Sequence, residues 1–215
     1  MSEFSKTALY EGWPNLPPLV QKAVQLSLDM GFISSCTPYH GELLAVLARG
    51  REGGVIGETG TGCGVGLAWM IAAVSPATRL VSVERDRERA AACRALFAGI
   101  PNVTLLEGDW RAIEAHAPFD LLVLDGGGGG KGAGKAAADP ARLLTPGGSI
   151  VLDDMHPPLR YWPEESGREL DAHGHAVVEG RAYWLNRPDV FASEVRVHPQ
   201  VSTLIATLKA PKPGG

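Results

Sequence analysis

The run Glu58-Thr59-Gly60-Thr61-Gly62-Cys63-Gly64 restricts the fold of this chain more than any other stretch. Val55-Ile56 ahead of it is apolar and β-branched, and residues 65–74 behind it are apolar apart from Gly66. The glycines therefore stand between a short strand and a buried helix. In a doubly wound α/β sheet, a glycine turn at this place lets a ligand approach the backbone beside a helix N-terminus. The dinucleotide pattern G-x-G-x-x-G is not met, because its last position falls on Val65 when counted from Gly60 and on Leu67 when counted from Gly62. That spacing weighs against a nicotinamide-dependent dehydrogenase.

Strand and helix patterns alternate after the turn. Residues 80–83 read as a strand, 87–98 as a helix and 103–106 as a strand; 119–124 and 148–152 read as buried strands joined by a short helix around 140–144. This order builds a parallel sheet with helices on both faces. Upstream, Leu19, Val20, Ala23, Val24 and Leu28 recur at helical spacing over residues 16–31, with Gly31 as the stop. A second helix is expected over 42–49, where Leu43, Leu44 and Leu47 share a face and Gly50 follows. Residues 155–174, rich in Pro, Trp, Glu and His, read as a surface segment over a pocket. Residues 193–197 and 203–208 flank His198-Pro199-Gln200 in the form of a β-hairpin.

A chain of 215 residues with 45% hydrophobic content can bury a full core. Its formal charge of -4 argues against a partner bound through phosphates, so a small molecule is expected rather than nucleic acid. Arg85, Arg87 and Arg89 alternate with Glu84, Asp86 and Glu88, which reads as a solvated helix start. No apolar run approaches the ~20 residues of a membrane span, and residues 1–13 lack the basic start and apolar stretch of an export signal. Cys36, Cys63 and Cys93 show no metal-type pairing and read as reduced packing residues, which implies a cytoplasmic protein.

The glycine run matches the E-x-G-x-G-x-G motif of class I S-adenosylmethionine (SAM) dependent methyltransferases, and the resemblance covers roughly residues 35–155. Glu84, with Arg85 beside it, ends the second strand, where that family keeps the acid that binds the ribose hydroxyls. Gly108-Asp109-Trp110 follows the third, where it contacts adenine. Phe119 to Asp125 is similar to the family's fourth motif, and Leu144 to Val151 to its fifth-strand motif. The resemblance implies a Rossmann-like, doubly wound, mostly parallel seven-stranded sheet with a C-terminal antiparallel hairpin. It also implies one domain over 1–210, with a helical cap (1–50), a cofactor-binding core (51–155) and a substrate-side segment with the hairpin (156–210). Glu84 can accept two hydrogen bonds from a ribose diol, Asp109 one from the adenine amine, and backbone N–H groups of residues 60–64 can meet the methionine part. Glu58, Gly60, Thr61, Gly62, Gly64 and Thr37 complete the expected cofactor set.

Asp125 ends the fourth strand and Asp153-Asp154 the fifth, so their carboxylates should converge at one rim beside the cofactor sulfonium. Mg²⁺, a hard cation wanting oxygen ligands, is the natural counter-charge, and it would activate a substrate hydroxyl. Here the chain resembles the cation-dependent O-methyltransferases related to catechol and caffeoyl-CoA methyltransferases, whose ligands are an Asp and an Asp-Asn pair. Asp125 and Asp153 match, while Asp154 stands where Asn is usual. Asp125 is thus expected to serve catalysis, cofactor and metal. The relatives' short loop with a catalytic lysine is replaced here by Gly126 to Gly130 and Lys131, with Lys135 beyond. Such a loop is expected to move until ligands bind. Lys131, Lys135 and His156 are the candidate general bases. Thr37 and Tyr39, in the segment 35–40 that closes over substrate in the relatives, are candidate pocket residues, and Tyr161, Trp162, Tyr183 and Trp184 are candidate aromatic walls.

The resulting expectation is an O-methyltransferase acting on a small hydroxylated acceptor with SAM and, as a candidate second cofactor, Mg²⁺. Relatives often pair through their N-terminal helices, which makes a homodimer the candidate assembly. The rivals are a metal-independent methyltransferase of N, O or a tRNA base with His156 as base, and a SAM-binding protein without catalysis.

Overall fold

The computed structural model describes residues 5–131, 135–155, 179–199 and 201–210. The chain divides into two compact units, Met1–His116 and Ala117–Gly215.

In the first unit a 3-10 turn, Thr7–Tyr10, precedes helices α1 (Pro18–Asp29) and α2 (Pro38–Arg49). α1 ends beside Gly31, whose φ of +63° no side chain favours. α2 starts four residues earlier than the leucine spacing indicates, because Pro38 is preset for the first helical position and the Thr37 side chain accepts from the His40 N–H at 3.2 Å. Strand β1 (Val55–Thr59), helix α3 (Val65–Ala73), strand β2 (Arg79–Glu84), helix α4 (Arg87–Leu96) and strand β3 (Val103–Glu107) follow, then a 3-10 segment, Trp110–His116. β2 pairs in parallel with β1 and with β3, in a register that sets Thr59 opposite Val83 and Glu84 opposite Glu107. The centre of this unit is built from Ile56, Leu80, Val81 and Val83 of the strands with Leu67, Ala68 and Met70 of α3, all buried.

The second unit holds strand β4 (Phe119–Leu124), helix α5 (Pro140–Leu143), strand β5 (Leu144–Leu152), helix α6 (Glu179–Leu185) and strands β6 (Val190–His198) and β7 (Val201–Leu208). β4 and β5 are parallel, whereas β7 is antiparallel to both β5 and β6, so the terminal hairpin is present. β5 begins before its glycines because Leu144 already pairs with Phe119, and a register shift between Phe119 and Leu121 absorbs Pro146-Gly147-Gly148. The seven strands run in the order β3-β2-β1-β4-β5-β7-β6, the mostly parallel α/β arrangement expected from the alternating pattern. Among the described residues no helix is long and apolar enough to cross a membrane.

Candidate cofactor turn and acidic cluster

The glycine turn leaves β1 through Glu58 and Thr59, both buried. Ser82 on β2 donates to Glu58 Oε2 at 2.5 Å, and its hydroxyl lies 2.6 Å from Thr61 Oγ1. The N–H groups of Gly60 and Thr61 both donate to the Val83 carbonyl, at 2.8 and 3.2 Å. Gly62 N–H donates to Glu84 Oε2 at 2.8 Å, and Gly64 N–H to the Thr61 carbonyl at 2.8 Å. The sequence reading offered these amides to the methionine end of a cofactor. In the structure the amides of Gly60, Thr61, Gly62 and Gly64 bond to β2 and to the turn itself, since buried N–H groups must find partners. Gly64 is the N-cap of α3 at φ +87°, and a Cβ there would stand 2.6 Å from the Phe97 ring.

Glu84 ends β2 as expected, and it is 6% exposed. Its Oε1 accepts from the Asp86 N–H at 2.8 Å and from Arg89 Nη2 at 3.1 Å. The basic run is therefore not a uniform solvated face. Arg85 is exposed and Arg87 pairs outward with Glu107 at 3.1 Å, but Arg89 turns back to the strand end. Asp86 caps α4 by accepting the Arg89 N–H, which holds its carboxyl below the usual carboxylate range. After β3, the Gly108 N–H donates to the Glu84 carbonyl at 2.9 Å. Asp109 Oδ1 accepts from the Arg111 backbone N–H at 3.0 Å and from its guanidinium at 3.2 Å, an Asx turn whose carboxylate faces solvent, while the Arg111 guanidinium lies over the Trp110 ring. Thr37 is fully buried and serves as a helix cap, while Tyr39 is exposed and meets Trp13 edge-on at 4.7 Å.

In the second unit Asp125, Asp153 and Asp154 each offer an oxygen, and these atoms lie within 4.8 Å of one another. The strand ends do bring this trio together. Asp153 is buried and accepts from Thr203 Oγ1 of β7 at 3.4 Å. Asp154 has φ +53°, a left-handed conformation that Asp and Asn tolerate better than other side chains. Lys131 Nζ lies 3.2 Å from Asp125 Oδ1 and 3.3 Å from its carbonyl, so the candidate base is delivered to the cluster as an ion pair. Lys135 is exposed, and His156, Tyr161 and Trp162 lie outside the described residues.

The described part of the glycine loop is tied down at three of its carbonyls. Gly128 accepts from the Ala138 N–H at 2.7 Å, Gly130 from the Gly180 N–H at 3.1 Å, and Gly129 from the Trp184 indole at 3.1 Å. A Cβ on Gly180 would run into the Gly129 oxygen, so backbone packs directly on backbone where α6 begins. Trp184 is wholly buried and Tyr183 donates to the Ala138 carbonyl at 3.2 Å. Both expected aromatic walls of the described region are anchors for the loop instead. Sequence reasoning missed Ser82 and Arg89. Ser82 was visible as the lone hydroxyl in the apolar strand Leu80-Val81-Ser82-Val83, whereas Arg89 carried no signal apart from its spacing after Glu84.

Residues 58–155 match the family model described as "Methyltransferase domain". A sequence-assigned O-methyltransferase of Mycobacterium sp. (strain JLS) is 34% identical over 143 residues, covering 62% of this chain and 63% of its own length. A second, from Mycobacteroides abscessus, is 31% identical over 150 residues, covering 66% and 68%. The chain thus spans between 63% and 68% of the length of these two relatives. Among solved structures, the O-methyltransferase TomG of Streptomyces achromogenes, involved in tomaymycin synthesis and crystallised with SAM, superposes with a TM-score of 0.70 at 21% identity over 98% of this chain and 100% of that one. An O-methyltransferase of Bacillus cereus in complex with S-adenosylhomocysteine (SAH) gives 0.69 at 19%, over 96% and 98%. These two share the fold.

Proposed function

This chain belongs to the SAM-dependent methyltransferases, and from that membership we propose that it transfers the methyl group of SAM to an oxygen of a small hydroxylated acceptor. The observation that carries the reading is Glu84. A buried carboxylate ends β2 and holds the glycine turn of β1 through the Gly62 N–H, the place at which a ribose diol meets its acceptor. The assignment of the mycobacterial relatives supports oxygen as the nucleophile.

SAM supplies an electrophilic methyl on a sulfonium, and the protein's part is to hold both reactants and receive one proton. Glu84 accepts the ribose hydroxyls, and Asp109 accepts the adenine amine once it parts from Arg111. In the second unit Asp125, Asp153 and Asp154 form an all-oxygen donor set, which fits a hard divalent cation such as Mg²⁺. With Mg²⁺ bound there, the acceptor hydroxyl would be more acidic and its oxygen fixed. Lys131, once parted from Asp125 and having given its ammonium proton to solvent, would take the acceptor hydroxyl proton on its free Nζ lone pair while the methyl passes from SAM to the acceptor oxygen, leaving SAH.

The Lys131–Asp125 ion pair favours one second reading, in which the ammonium already supplies the counter-charge and no metal is needed. Calorimetric titration of SAM-saturated protein with Mg²⁺, beside Asp153→Ala, separates the two. Binding that disappears in the variant supports the cation-assisted reaction, and absence of binding in both selects the metal-independent one.

A further inference from the structure

The carboxylate of Glu84 is crowded. Oε2 accepts from the Gly62 N–H at 2.8 Å, and Oε1 from the Asp86 N–H at 2.8 Å and from Arg89 Nη2 at 3.1 Å. A carboxylate has about four acceptor positions, and a ribose diol claims two of them. One present donor must therefore leave when the diol arrives. The Gly62 amide is fixed by the turn and the Asp86 amide by the start of α4, so the donor free to move is the Arg89 side chain.

Arg89 is held where it is by more than Glu84. Its guanidinium carbon sits 5.2 Å from the centroid of the Phe32 ring, and that ring stands 3.0 Å from where a Cβ on Gly62 would be. Phe32 thus bridges the glycine turn and the guanidinium. The pose is imperfect, because Arg89 Nε is buried and has no hydrogen-bond partner among the described residues. An unmet buried donor lowers the work of opening the contact. A second carboxylate is already within reach of the same guanidinium, with Nη1 lying 3.7 Å from Asp86 Oδ2.

We propose that Arg89 is a latch on the ribose acid, closed on Glu84 before cofactor binds and released toward Asp86 when the diol takes its place on Oε1. Resting as it does on the assignment of Glu84 to the ribose, the latch makes cofactor affinity a competition between a hydroxyl pair and a guanidinium. The Arg89 side chain is 30% exposed, so added salt weakens the closed state.

The test is calorimetric titration of the full chain with SAH, which lacks the sulfonium charge, using wild type, Arg89→Met, Glu84→Ala and the double variant at low and high salt. The latch requires Arg89→Met to bind SAH about threefold tighter than wild type at low salt, as expected for a partly exposed ion pair, with the advantage shrinking as salt rises. It also requires the gain to vanish on the Glu84→Ala background. Phe32→Leu, which withdraws the ring from the guanidinium, should give a smaller gain and serves if Arg89→Met folds poorly. Equal or weaker SAH binding in Arg89→Met and Phe32→Leu, with wild-type melting curves, overturns the latch and leaves Glu84 as ribose acid. Wild-type affinity in Glu84→Ala removes that assignment and the latch with it.

Discussion

Gly64 and Gly99 have nearly the same φ, +87° and +85°, and very different surroundings. A Cβ on Gly64 would stand 2.6 and 2.7 Å from two atoms of the Phe97 ring and 3.4 Å from Cys93 Sγ; a Cβ on Gly99 would meet nothing within 4 Å. Alanine at either site incurs the same left-handed strain, about 1–2 kcal/mol, offset by about 0.4–1 kcal/mol from the stiffer unfolded chain. Gly99→Ala should therefore cost about 1 kcal/mol. At Gly64 the Phe97 ring, 4% exposed, has little room to yield. Overpacking adds about 1–3 kcal/mol there, for a total near 2–4 kcal/mol. Urea denaturation with shared slopes reads the difference directly from the midpoints. Equal midpoints for the two variants would show that the glycine is needed only for its φ, and that the packing of the turn on α4 is not tight.

Other consequences are open to simple measurements. Asp154→Asn keeps a side chain suited to φ +53° and should melt as wild type does, whereas Asp154→Ala should lose about 1 kcal/mol whatever the metal content; an alanine variant of unchanged stability would contradict that account. Burial pushes the Cys93 thiol up to about 12 and raises that of Cys63, so a thiol reagent should react first with the partly exposed Cys36 and reach the other two on unfolding. Rapid reaction of three thiols in the native protein would refute it. The Asp86 carboxyl, depressed first by the Arg89 N–H, contributes stability above its unfolded pKa that is lost as pH falls through the lower folded value. Asp86→Asn should flatten that acid limb of a melting-temperature profile, and an unchanged limb would place the acid sensitivity elsewhere.

The strand ends were legible because each apolar run stops at its first acid. Glu84, Asp125 and Asp153 close the largely apolar stretches 80–83, 121–124 and 150–152, and no tertiary knowledge is needed to find them. What sequence could not convey was tertiary. The glycines at 126–130 read as flexible because composition reports only the entropy of the free chain, whereas two of them, Gly129 and Gly130, make a close approach to Gly180. The helix that brings Gly180 there, α6, is seven residues long, too short for a periodic signal, and it is held by the Trp184 indole on Gly129. Arg89 looked like its neighbours because alternation of charge says nothing about which arginine, three residues into a capped helix, faces back toward the strand.

The hydroxyl pair between Thr61 and Ser82 has a direction. Ser82 gives its single proton to Glu58, so the proton between Ser82 and Thr61 must come from Thr61. Thr61 is left presenting lone pairs and no hydrogen, and the turn acquires a polarity set by Glu58 through Ser82 on the neighbouring strand. A ligand group that gives hydrogen bonds, such as an ammonium, is matched to that atom; one that only accepts finds an oxygen facing an oxygen. Glu58 thereby influences what the turn will tolerate without having to touch it.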